Sequence, residues 1–409
     1  MTRIEIAPQQ ELAPDFAEAF DPAKVRRPQY GRWLDDLGEG QVFVHPRGYT
    51  FERSEMRAFA TAFHQANPIY LNHELALVHG FGAIPASPQM VFNIVLSLGV
   101  QNNSEKAVAN LGYYNARFMR PVYAGDTLRA LTRVRGIRDR GPEKPGIAHV
   151  ETIGVNQREE VVLQYERKIM IRHRPAGAAA AQAALDIVDP ENKPRREPAP
   201  RFKWHEKPVL DVPLAPASAW SKYDVRALTG PSTYFEDFSP GDVIVHGCGR
   251  TITDEHVGWT YRVGNTHPLH YDRVYSSSQK GPMSGEPIVY GGLVFAWLEG
   301  LASRDTSENA LWELGFTEGY HTAPAVAGDT VFALSRVLAC DAEAAGFKGA
   351  GVVTLQLIGV KNATGDAVLA EHGDDLFIKE GDKKKLGKDK IPAKIFEIER
   401  QLLVKMRGA

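Results

Sequence analysis

The chain has 409 residues, 43% hydrophobic and 24% charged, with 48 Lys and Arg against 50 Asp and Glu. A formal charge of −2 leaves no global basic field for nucleic acid, and the length is enough for several domain-sized units with a large buried core. The two cysteines, Cys248 and Cys340, lie far apart without CxxC spacing, which excludes a zinc knuckle, an iron–sulfur site or a disulfide framework.

The first residues, MTRIEIAPQQELAPDF, mix acids with prolines and lack the order of a secretory signal, so a cytoplasmic location is expected. LGEGQVFVH (37–45) reads as a strand with a Gly-Glu turn. A partly polar helix over 54–66 and the Asn-Pro breaker of ANPIY (66–70) follow. The next helix, around Met90–Val100, is apolar almost all round and so must be buried on most sides. It is too short for a membrane span and carries Asn93 and Ser97, so no membrane partner is expected. Strands then follow, recognised by alternation and β-branched content, as in Val150–Val155.

Residues 175–227 are Ala- and Pro-rich (PAGAAAAQAAL, ENKPRREPAPRF) and read as a linker that packs along the surface through Trp204, Leu210 and Trp220. Residues 228–378 then repeat the earlier order. FSPGDVIVH (238–246), a helix over 254–264, THPLH (266–270), a buried helix from Leu293 to Leu301 and strands such as 351–358 take the same places. The final segment, 379–409, contains GDKKKLGKDK, expected to be a solvated tail. Beyond it Ile395, Ile398, Leu402 and Met406 fit one face of a short amphipathic helix, which would dock on a second copy and give a homodimer.

The repeat is explicit. AGDTLRALTRV (124–134) and AGDTVFALSRV (327–337) match at eight of eleven positions, and four further blocks follow in the same order at offsets of 200 to 205. Two homologous halves are implied, 30–174 and 228–378. One buried helix per half, followed by strands able to curl around it, describes an α+β tandem hot-dog fold.

The breaker of the second half reads YRVGNTHPLHYD (261–272). It resembles the MaoC-like, R-specific enoyl-CoA hydratases, which carry Gly-Asp-x-Asn-Pro-Leu-His-x-Asp at this place. AVANLGY (107–113), RFMRPVYAGDT (117–127), YGG (290–292) and HTAP (321–324) are similar to the double hot-dog mesaconyl-CoA (2-methylfumaryl-CoA) hydratases. The resemblance spans both halves and misses the linker and tail. It implies a hydro-lyase acting across the 2,3 double bond of a short-chain 2-enoyl-CoA, with mesaconyl-CoA and methylmalyl-CoA as the implied pair. No cofactor is expected beyond the CoA carried by the substrate.

By that resemblance His270 and Asn265 form the catalytic pair. Asn265 stands where the common motif has Asp; an amide cannot take a proton, which leaves it to orient water or hold His270. Gly291 and Gly292 precede the buried helix and offer N–H groups to a thioester oxygen as it gains charge. Tyr290 and His321 are further candidate contacts, and Arg117 and Arg262 are candidates for a terminal carboxylate. In the first half the aligned residues are Tyr70, Gln65 and Pro88, so 30–174 is expected to be degenerate and non-catalytic. Two other activities fit the same residues: a hot-dog thioesterase, or an acyl-CoA-binding protein without turnover.

Overall fold

In the computed structural model the two halves share one antiparallel sheet. The structure describes residues 25, 30–101, 103–176, 210–220, 233–279, 284–344 and 346–408. The first half contributes β1 (Val42–Val44), β2 (Tyr49–Thr50), β3 (Ala107–Phe118), β4 (Thr127–Arg138), β5 (Gly146–Val155) and β6 (Val161–Ile171). The second contributes β7 (Val243–Val245), β8 (Arg250–Thr251), β9 (Ala310–His321), β10 (Thr330–Asp341), β11 (Ala350–Lys361) and β12 (Lys394–Lys405). The order is β1-β4-β5-β6-β3-β9-β12-β11-β10-β7, with β2 on β4 and β8 on β10. The halves join at β3 and β9, where Tyr114 faces Glu318 and Ala116 faces Phe316. Pairing the halves edge to edge covers the longest strands that either would otherwise expose.

Each half lays one apolar helix on the sheet, Pro88–Leu98 and Gly291–Thr306. Ser87 caps the first, its side chain accepting from Met90 N–H, and Pro88 fills the first position. The second has no side-chain cap. Both helices belong to a single core in which the Phe92 ring packs edge-on to Phe295 and Phe316, at 6.0 and 5.2 Å between centroids.

Gly300 in the second helix passes directly under the chain of the first half. A Cβ there would lie 1.6 Å from the Phe63 carbonyl oxygen. Gly→Ala inside a helix normally stabilises by up to about 1 kcal/mol. Here Gly300→Ala is expected to destabilise by about 3 kcal/mol or more, because backbone must move. A urea unfolding curve with an unchanged midpoint would contradict that close approach.

The segment 379–409 departs from the expected solvated tail and short helix. Lys394–Lys405 is β12, the fourth long strand of the second half, paired to both β11 and β9. It occupies the place that β6 holds in the first half, so the second half runs to Lys405 and does not stop at 378. Ile395, Ile398 and Leu402 are buried within this chain, so they cannot be the expected dimer contact. A strand covered on both faces loses the period-two pattern, and its apolar residues then mimic helical spacing.

The tight turn between β5 and β6 is replaced by an excursion over 362–393. It holds a helix at Gly365–His372 and short turns at Gly373–Phe377, Glu380–Lys383 and Lys384–Leu386. GDKKKLGKDK lies in this excursion and is anchored from below. Lys383 pairs with Glu380 at 2.7 Å, and Lys394 pairs with Glu397 at 2.6 Å while donating to the Leu376 and Ile378 carbonyls.

Of the linker, only residues up to 176 and 210–220 are described; Trp204 lies outside them. Trp220 is buried between His79 and Phe347, whereas Leu210 is exposed. Among the described residues no helix is long and apolar enough to cross a membrane.

Candidate active site

The chain enters the site through Asn265. Its Oδ1 accepts from His267 N–H at 2.8 Å, which fixes the amide's orientation and starts the turn Pro268–His270. His267 then accepts from Leu269 N–H through Nδ1 and donates from Nε2 to the Ala107 carbonyl of the other half. These bonds clamp the turn and present His270. His270 Nδ1 donates to the Ile288 carbonyl at 2.9 Å, so Nε2 carries the lone pair. Burial, aided by neighbouring His267 and His321, drives the His270 pKa down to about 3 despite the Ile288 bond. The imidazole is therefore neutral at physiological pH, with Nε2 open to accept a hydrogen bond or a proton.

His270, Asn265, Tyr290, Gly291 and His321 line one cavity of about 1200 Å³. Its other wall comes from β3 and β6 of the first half, including Asn110, Tyr113, Arg167 and Ile169. Asn265 is only 3% exposed, and its Nδ2 has no partner within the described residues. A buried amide donor left over in the same cavity as a neutral imidazole is a place for a water or ligand oxygen.

Gly291 opens the second buried helix, and the space a Cβ would take is held by the His321 ring, 2.4 Å from that position at Nε2. His321 Nε2 lies 3.1 Å from the Tyr113 hydroxyl, and burial holds its pKa at about 4. Gly292 has a different task. Its carbonyl accepts from Asn93 Nδ2, and a Cβ would sit 2.2 Å from Asn93 Oδ1, so it allows the two helices to touch. Tyr290 stands beside His270 with ring centroids 5.4 Å apart, while its hydroxyl turns away to Ser97 and Asn93.

Neither expected carboxylate ligand reaches the cavity. Arg262 is exposed, lies over Trp259 and pairs with Glu55 at 2.8 Å. Arg117 donates to the carbonyl of its own neighbour Ala116 at the β3–β9 join. Arg262 sits on the helix Trp259–Arg262, and on β3 the register irregularity between Tyr114 and Arg117, with Asn115 at φ 51°, takes Arg117 out of step with the cavity-lining Tyr113.

At the related position of the first half the space is filled. Tyr70 and Gln65 are buried, and Gln65 Nε2, the counterpart of the unpaired Asn265 amide, donates to Glu299 at 3.1 Å. Glu299 and Glu313 together hold Arg400. Pro88, in the place of Gly291, has no N–H to offer.

Sequence reasoning missed Arg167, Asn110, Tyr113 and the lysines of the excursion. The signal was present in part: AVANLGY (107–113) aligns with ALWELGF (310–316), and the register of β6 on β3 matches that of β12 on β9. The second match could not be seen while β12 was taken for a helix.

A sequence model of the family described as mesaconyl-CoA hydratase matches residues 11–202. A β-methylmalyl-CoA dehydratase of Chloroflexus aurantiacus is 30% identical over 76% of this chain and 82% of its own. A mesaconyl-CoA hydratase of Cereibacter sphaeroides is 30% identical over 82% of this chain and 90% of its own. Among solved structures, a MaoC-domain dehydratase protein of Chloroflexus aurantiacus superposes with a TM-score of 0.74 at 27% identity, covering 92% of this chain and 98% of that one. A Mycobacterium tuberculosis protein described as a double hotdog fold superposes with a TM-score of 0.63 at 20% identity, over 91% of this chain and 98% of that one.

Proposed function

Because this chain belongs to the mesaconyl-CoA hydratase family of MaoC-like tandem hot-dog hydro-lyases, we propose that it adds water across the 2,3 double bond of a short dicarboxylic 2-enoyl-CoA, or removes it. The mesaconyl-CoA and β-methylmalyl-CoA pair is the substrate class we assign, with no cofactor beyond the CoA of the substrate. The observation that carries the reading is His270: a neutral imidazole whose Nδ1–H is spent on Ile288, beside the N-terminus of the second buried helix in one cavity.

The steps follow from these groups. His270 Nε2 takes a proton from a water that the free Asn265 amide orients. The hydroxide adds at Cβ, the C=C pair moves to Cα, and negative charge passes to the thioester oxygen. The N–H of Gly291, at the positive end of a helix, meets that oxygen as charge develops. The proton held on His270 then goes to Cα, and the base is regenerated. Asn265 contributes as a donor, in keeping with an amide's inability to exchange the proton itself. The exposed lysines Lys384, Lys385 and Lys390, at the rim of the same cavity, support a CoA ligand because they offer countercharge to its phosphates.

Purified protein should consume the enoyl absorbance of mesaconyl-CoA without releasing thiol. Thiol release in its place would identify a thioesterase, and binding without either signal a non-catalytic acyl-CoA-binding protein.

A further inference from the structure

We infer that Arg167 is the counter-ion for the second carboxylate of the acyl group, and so sets the preference for dicarboxylic over monocarboxylic thioesters. The inference rests on the acyl-CoA reading above, and adds the residue that recognises the acyl end. Arg167 lies on β6 opposite Tyr113 of β3 and lines the cavity that holds His270. It is 4% exposed. Its Nη2 reaches only the Ser104 hydroxyl at 3.2 Å and the Gly99 carbonyl at 3.5 Å, and its Nε has no partner. Among the described residues no carboxylate pairs with it.

A guanidinium carries its charge throughout the physiological range, and burying one without an anion is unfavourable unless a ligand supplies that anion. The related arginine of the other half shows what is missing. Arg400 takes the same place on β12, opposite Phe316 of β9, as Arg167 takes on β6 opposite Tyr113. Arg400 is held by Glu299 and Glu313. The residues aligned with those two glutamates in the first half are Leu96 and Asn110, and both line the cavity. One arginine is neutralised by two carboxylates of its own chain. Its counterpart keeps the arginine, lacks both carboxylates, and opens into a cavity beside a hydration base. A planar carboxylate is the ligand that such a fork matches bidentately.

The test uses saturated thioesters, which bind without turnover. Isothermal titration of the full-length protein with succinyl-CoA and butyryl-CoA should show the wild type preferring succinyl-CoA by about tenfold or more, the range of a charged hydrogen-bonded contact. Arg167→Met should abolish that preference, and Arg167→Lys should restore part of it. Asn110→Glu supplies the carboxylate that Glu313 gives Arg400, and should abolish the preference with the arginine still present and the core intact. A wild type with equal affinity for the two thioesters, or a preference that survives in both Arg167→Met and Asn110→Glu, overturns the assignment. If the wild type binds neither thioester, the acyl-CoA reading falls and this inference with it. Hydration of enoyl-CoA, measured separately, tests that reading independently of Arg167.

Discussion

His270→Ala is expected to lower kcat for mesaconyl-CoA by roughly two to four orders of magnitude, the contribution of a positioned acid/base group. The circular dichroism spectrum should be unchanged, because the turn it sits on is held by Asn265 and His267. The pH profile provides a sharper readout. A histidine with its ordinary pKa would lose half its basic form at about 6.5. Burial holds His270 at about 3, so kcat/KM of the wild type should stay flat as pH falls from 8 to about 5. Asn265→Asp places a carboxylate beside the imidazole, favours its cation, and should move the acid limb to higher pH. The limb has to be read in brief acid exposures. Burial also lowers His45, His79, His267 and His321 to about 4, below their unfolded value near 6.5. The unfolded chain therefore takes up more protons than the folded one below that value, and stability falls as pH drops from 6.5 towards 4. Full turnover in folded His270→Ala protein would remove His270 from the mechanism.

Arg400→Met should cost about 3–5 kcal/mol of unfolding free energy at neutral pH, the penalty for leaving a buried partner uncompensated. Two carboxylates are exposed to that loss. Glu299 meets Arg400 at 3.0 Å, and burial pushes the Glu313 carboxyl up against the pull of the same arginine. The triple variant Arg400→Met, Glu299→Leu, Glu313→Asn brings in Leu and Asn, the aligned residues of the first half, and should recover most of the stability. Replacing a whole buried ion group by neutral side chains is often close to neutral, whereas breaking it is not. Urea unfolding of the two variants measures both. A single variant as stable as the wild type would mean that the cluster carries little charge in the folded protein, and its contrast with Arg167 would lose its basis.

Much of this protein was legible in one dimension. The repeat, the two buried helices and the turn that Pro268 opens and His270 ends are local patterns, and local periodicity reports burial wherever one element sets it. The loss of the donor at Pro88 and of the histidine at Tyr70 also followed from alignment of the halves, because a missing N–H or imidazole is a property of the residue itself. Only the folded chain decided the rest. β12 pairs with β11 across an excursion of about thirty residues, and no local signal encodes a partner that distant. That pairing brought the lysine run back to the rim of the cavity and carried Ile395 and Leu402 into the core. It also put Arg400 between Glu299 and Glu313, about a hundred residues away in sequence. Arg117 and Arg167 both belong to the first half and are the same kind of residue in a sequence. One donates to the backbone at the sheet join and the other lines the cavity, because the irregularity at Asn115 breaks the alternation that would otherwise put Arg117 on the same face as Tyr113, the residue opposite Arg167.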